Sequence, residues 1–177
     1  MQASTTGGDV IRWYNVPSGG AFLVENNTFN TGPLAATTTY YIETVRGICV
    51  NSVRQPVTVT VLQIPTAGNI TIASPVEATC SGGAVLTPSS NIAGVQFKYY
   101  TDQNKATEII DGSVDGSITF AKDANGVLTI SGLASGTNYN YFISAVNGGT
   151  CENANGDLKQ ESVNSPSTTS LTLIATP

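Results

Sequence analysis

The stretch 130–146, ISGLASGTNYNYFISAV, leaves this chain little choice of architecture. Tyr139, Tyr141, Ile143 and Ala145 fall on one side of an extended strand, and Asn140, Phe142 and Ser144 on the other. That is the period-two alternation of a half-buried β-strand. Upstream, Leu133 is separated from Tyr139 by a bend containing Gly136 and Thr137. A Leu that closes one strand and a Tyr that opens the next let the phenol ring enter a core. The hydroxyl then satisfies a backbone group at the bend.

The same Leu-to-Tyr spacing recurs at Leu34 and Tyr40, in GPLAATTTYYIETV. Its surroundings recur too. Ile11-Arg12-Trp13-Tyr14 corresponds to Phe97-Lys98-Tyr99-Tyr100, Cys49 to Cys151, and the closing run 57–61 (VTVTV) to Leu171-Thr172-Leu173. Landmarks repeated in one order point to an internal repeat. Such corners belong to Greek-key sandwiches, so the expectation is an all-β chain of two tandem sandwich modules.

Composition narrows the functions available. Charged residues are 11% of the 177, less than half the usual share, so Thr, Ser, Asn and Gly must make the surface. That suits a secreted β-protein. The net charge of −5, with Arg and Lys scattered, argues against nucleic acid and anionic membranes as partners. No apolar run has the length of a membrane span, so no membrane insertion is expected from this segment. There is no N-terminal signal pattern, and any export signal is expected outside the segment. Histidine is absent, which removes Ser-His-Asp and Cys-His nucleophiles, His bases and His-ligated zinc.

In chain order, strands are expected at 10–14, 22–24, 40–45 and 57–62, forming a first module over residues 1–63. Residues 64–69, with Pro65 and Gly68, read as a short linker. The second module, 70–177, is expected to use 70–73, 84–87, 95–100, 117–121, 127–130, 139–146 and 170–175. A long connection over 147–166 would precede the last strand. Turns at Asp115-Gly116 and Asn125-Gly126 bracket the strand at 117–121. The first module has no counterpart of the second module's opening strands. Either its first strands and their Cys lie upstream, which we expect, or the unit is naturally abbreviated and Cys49 is a free thiol. Both readings leave a sheet edge unpaired.

The candidate chemistry is sparse. Cys80 precedes the strand at 84–87 and Cys151 follows the strand at 139–146. These positions are expected to meet at one end of the sandwich as a disulfide, contributing about 4 kcal/mol in the loop-entropy picture. Asp111, Asp115, Asp123 and Asn125, or Glu152, Asn153, Asn155 and Asp157, are oxygen-rich enough to suggest calcium. Neither group has EF-hand spacing, and turn formation alone accounts for Asp and Asn beside Gly. No other cofactor is expected. Tyr14, Tyr41, Tyr100 and Phe142 are the candidate sugar-stacking aromatics, Tyr100 and Phe142 foremost. The carboxylates fall in turns rather than at the mouth of a cleft, so no enzyme activity is expected.

The first module, with IRWY, a Gly-Gly turn, ATTTYY, a Cys after that strand and a terminal PVTVTV, resembles the immunoglobulin-like repeats of very large Bacteroidetes surface proteins. These include gliding-motility adhesins exported by the type IX system. The second module is similar less specifically, through TCSGGAVLTP and LASGTNYNYFISAVNGGTC. Its Tyr99 stands where the first module has Trp13, and residues 111–127 look inserted. The resemblance implies that Trp13 and Tyr99 are core residues, Trp13 being a core anchor rather than an exposed ligand platform. It also implies an extracellular, cell-surface location. The segment would be non-catalytic, a stalk or display of repeats for attachment or gliding. Its partners would be neighbouring repeats of the same chain and extracellular surfaces or polysaccharides. The alternative is a carbohydrate-binding or accessory module of a secreted polysaccharide-degrading enzyme.

Overall fold

The computed structural model describes residues 1–7, 9–51, 53–74 and 76–167. It divides into two compact units, Met1–Leu62 and Gln63–Pro177. Residues 64–69, expected as a linker, carry bonds to the second unit. Pro65 is buried, and Ala67 N–H donates to Asp157 at 3.2 Å.

The first unit contains β1 (Val10–Tyr14), β2 (Val24–Glu25), β3 (Thr38–Arg46), β4 (Cys49–Val50) and β5 (Gln55–Val59). They form one antiparallel sheet, with β1 between β2 and β3, and with β4 and β5 both on β3. Alternation in VIRWY turns Ile11 and Trp13 inward, where both are buried. Trp13 also satisfies its indole, donating to the Asn26 carbonyl at 2.8 Å. Phe29 packs on Trp13 and meets Tyr40 edge-on at 5.1 Å between centroids. Around Ile11, Trp13 and Tyr40 the remaining apolar residues, among them Leu34, Ile42, Val57 and Val59, are only partly buried. Among the described residues no second sheet covers this face.

The second unit is a full sandwich. In order it contains β6 (Ile70–Ile72), β7 (Val76–Glu77), β8 (Ala84–Leu86), β9 (Pro88–Ser90), β10 (Gln96–Tyr100), β11 (Glu108–Ile109), β12 (Val114–Asp115), β13 (Ile118–Lys122), β14 (Leu128–Ser131), β15 (Asn138–Asn147), β16 (Cys151–Glu152) and β17 (Lys159–Asn164). One sheet runs β11-β10-β15-β17-β7, with β16 also on β15; the other runs β12-β13-β14-β8, and β6 pairs β9. The non-sequential neighbours β8 and β14 are those of a Greek key. Leu86, Phe120, Leu128 and Ile130 face Tyr99, Tyr141, Ile143 and Val163 across the core.

The structure amends three expectations. The strand paired with β15 on its outer side is β17, and the strand expected at 170–175 lies outside the described residues. KQESVN is too polar to announce itself, yet Glu161 and Val163 alternate inward. Residues 111–127, which stand out from the family pattern, are built into the second sheet as its strands β12 and β13. The two Leu-to-Tyr bends are also not equivalent. By register with the first strand, Tyr40 on β3 corresponds to Tyr141 on β15, two residues beyond Tyr139. Their partners agree: Tyr40 meets Phe29 and Tyr141 meets Phe120, each edge-on at 81°. Among the described residues only Tyr139 of the two makes the corner bond, its hydroxyl accepting from Ala134 N–H at 3.0 Å. Leu133 beside it is buried, whereas Leu34 is half-buried.

The bend before β15 also needs glycine. Gly132 has φ +84°, and a Cβ there would sit 2.1 Å from the Ser117 carbonyl oxygen.

Candidate functional site

The densest polar chemistry lies at the end of the aromatic strand of each unit, on the sheet face away from the core. In the first unit the Tyr14 hydroxyl donates to Glu43 Oε1. Arg54 Nε donates to Glu43 Oε2 at 3.1 Å, and its guanidinium lies over the Tyr14 ring at 3.2 Å. Arg54 also donates to the carbonyls of Val16 at 3.0 Å and Gly19 at 2.7 Å. The register of β1 on β3 puts Tyr14 and Glu43 within reach on one face. Arg12 continues the row, pairing with Glu25 at 2.7 Å and lying over Phe22.

The second unit rebuilds this arrangement from different elements. Tyr100, at the position of Tyr14, donates to Glu152 Oε1 at 2.8 Å. Here the carboxylate comes from β16, because Ser144 occupies the position of Glu43. The cation is Lys105, 3.0 Å from Glu152, with Lys98 at 3.6 Å. Lys105 reaches it from a backbone at φ +60°, held by Asp102, whose carboxylate accepts from the N–H groups of Asn104, Ala106 and Thr107. Those bonds, Ala106 foremost, hold the Asp102 carboxyl below its ordinary value. Asn153 braces the base of the hairpin: it accepts from Ala145 N–H at 2.8 Å and donates to the Asp157 carbonyl at 2.9 Å.

Electrostatics follow from this packing. Burial, then donation to a carboxylate, pushes the Tyr14 and Tyr100 phenols above their ordinary values. Burial alone would raise Glu152, but bonds from Lys105, Tyr100 and Ser144 outweigh it and hold the carboxyl below its ordinary value. The tyrosines therefore stay protonated and the Glu charged, as a clamp requires. Nothing here is a free acid beside a free base.

The sequence candidates are dispersed. Trp13 and Tyr99 are fully buried, and the Tyr99 hydroxyl donates to the Gly126 carbonyl at 2.5 Å. Tyr100 is a correction: it is only 4% exposed and bonded to Glu152, so it presents no stacking face to a sugar. Phe142, opposite it in register, is half-buried. Asp111 accepts from Lys122 N–H, Asp123 from the N–H groups of Asn125 and Val127, and Asp115 is exposed on β12. Among the described residues no three His, Cys, Asp or Glu side chains gather as a metal-binding set.

The expected disulfide is also corrected: Cys49, Cys80 and Cys151 are free thiols. Leu133 N–H bonds to the Gly82 carbonyl, placing Cys80 near the start of β15, while Cys151 pairs with Asn147 at its end. The strands after Cys80 and before Cys151 run the same way. The two thiols thus lie at opposite ends of a ten-residue strand, on the order of 30 Å apart. A disulfide spans about 7 Å between Cα atoms at most.

Glu43, Arg54 and Lys105 escaped the sequence reading, and Glu152, a calcium candidate there, is instead bonded to Tyr100 and Lys105. Their only signal was the tyrosine doublet's second member, at Tyr14 and Tyr100.

Residues 1–62 match the family described as "Ig-like domain CHU_C associated", an Ig-like repeat family of the Bacteroidetes type. The first unit is thus an Ig-like module, and the second unit lies outside that match. Domains of this family are typically extracellular, and modules of this fold are generally non-catalytic. Among the described residues no helix is long and apolar enough to cross a membrane. No curated protein matches the sequence. Solved structures similar to this chain include extracellular domains 3–5 of Drosophila OTK, at 15% identity and TM-score 0.41, covering 91% of this chain and 52% of that one. The chain thus spans about half the length of that structure. The amphioxus IgVJ-C2 molecule is similar at 17% identity and TM-score 0.39, with 94% of each chain covered. Murine CEACAM1b is similar at 16% identity and TM-score 0.34, covering 88% of this chain and 82% of that one.

Proposed function

We propose that the chain is a non-catalytic stalk or display segment of a large cell-surface adhesin, serving attachment or gliding. The observation that carries this reading is the tyrosine–carboxylate–cation clamp present in both units. It commits these polar groups to bracing the sheet rather than to acid–base chemistry. A Bacteroidetes-type repeat family over residues 1–62 supports the cell-surface setting. The partners are neighbouring repeats of the parent chain and the surfaces it contacts. The carbohydrate-binding alternative is less favoured, because Tyr100 is buried.

Two measurements test the reading together. Affinity electrophoresis through a panel of polysaccharides should show no retardation, and single-molecule stretching should show a separate unfolding step for each unit. Selective retardation that disappears in Phe142→Ala would replace the stalk reading with the carbohydrate-binding one.

A further inference from the structure

The two units treat the outer edge of their last described strand differently. In the second unit β7 adds in parallel to β17, with Val163 opposite Val76 and Asn164 opposite Glu77. Ala78 N–H extends the contact by donating to the Asn164 carbonyl at 2.7 Å. Val163 is fully buried, in the same core cluster as Val76.

In the first unit β5 is the same strand by register. Val59 pairs with Thr38 of β3 as Val163 pairs with Tyr139 of β15. Among the described residues β5 pairs with β3 alone. Val57 and Val59 remain half-buried, Thr58 and Thr60 are exposed, and Val61 and Leu62 beyond them are 36% and 39% exposed. A row of unpaired N–H and C=O groups beside partly covered valines is a template for one more strand. Pro56 guards the first half of this edge, having no N–H to offer. The half at Val59 and Thr60 carries no such guard, and it is the half equivalent to the Val163–Asn164 stretch where β7 docks.

We propose that the outer edge of β5 is a docking site for an extended segment of another polypeptide, added in parallel, with apolar side chains at alternate positions against Val57 and Val59. The same molecule supplies the occupant's chemistry, because the equivalent edge holds Val76-Glu77-Ala78: apolar, acidic and outward, apolar. The site is independent of the stalk reading, since it rests on the pairing difference between the two units.

The test is amide hydrogen exchange on the full chain, with and without the synthetic peptide ITIASPVEAT (residues 70–79). Amides within 55–60 should slow at least tenfold at saturating peptide. Val59→Lys should abolish that protection, as should Thr60→Pro, which lies outside the β3 pairing and removes an edge donor. Emission from Trp13, the sole tryptophan, reports whether each variant's first unit is folded. Unchanged exchange at millimolar peptide overturns the proposal. Protection that grows with protein concentration and needs no peptide overturns it in favour of a second copy. Protection present without peptide and lost when residues 168–177 are removed overturns it in favour of the chain's own terminal segment.

Discussion

The Tyr100 hydroxyl donates to Glu152 at 2.8 Å, tying the end of β10 to the hairpin that follows β15. Tyr14 makes the corresponding bond to Glu43 inside a single sheet face. One restraint is thus reached by two routes, which points to the restraint as what matters. Removing either hydroxyl should cost about 1.5–3 kcal/mol, the range for a hydrogen bond to a charged group. Tyr14→Phe is expected to lower the denaturant midpoint followed by Trp13 emission. Tyr100→Phe should leave that midpoint unchanged and lower the second unit's calorimetric transition.

The same clamp gives the second unit its pH profile. Glu152 titrates below its ordinary value in the folded state, so its contribution is present above the ordinary carboxylate range. That contribution is lost as pH falls through the folded value. Tyr100 titrates above its ordinary value, so its contribution is present below about pH 10 and is lost as pH rises further. Urea midpoints measured across pH should fall on both sides of a neutral plateau. Glu152→Gln should make the acid limb shallower, and an acid limb identical to wild type would refute the assignment.

Tyr141 is the opposite case. Its ring packs edge-on against Phe120, yet its hydroxyl is buried without a hydrogen-bond partner among the described residues. Burial pushes this phenol up to about 12. Removing an unsatisfied buried hydroxyl removes a desolvation cost and keeps the ring contact. Tyr141→Phe should therefore leave the second unit as stable as before or raise its stability by about 1 kcal/mol, read from its calorimetric transition. A loss comparable to Tyr100→Phe would reveal a partner for the hydroxyl.

Where the fold was legible, a local pattern carried it. Alternation along 139–146 and the matched VIRWY and QFKYY strands are properties of neighbouring residues, and both strands show the same burial pattern. What escaped was set by direction and distance. Tyr139 and Tyr141 share a face, so local spacing could not say which of them matches Tyr40. The clamp partners are 29 residues apart in one unit and 52 in the other, and come from different strands. Only strand register brings them together. β17 was missed because Lys159-Gln160-Glu161-Ser162 looks like loop until β15 lies beside it.

The cysteines show the same limit and give a sharp prediction. Proximity in a sandwich depends on which way strands run, and the strand after Cys80 runs in the same direction as the strand before Cys151. Their thiols are placed at opposite ends, so oxidation within one chain would require dismantling β15 or β8. Denatured but unreduced protein should yield three alkylated cysteines by intact mass. In the native protein, exposed Cys49 and Cys80 should react faster than half-buried Cys151. Replacing Cys80 and Cys151 together by Ala should change stability by less than about 1 kcal/mol, since neither is in the core. A loss of 2–5 kcal/mol, the usual cost of deleting a native disulfide, would mean that the bond forms and that the strand directions described above are wrong.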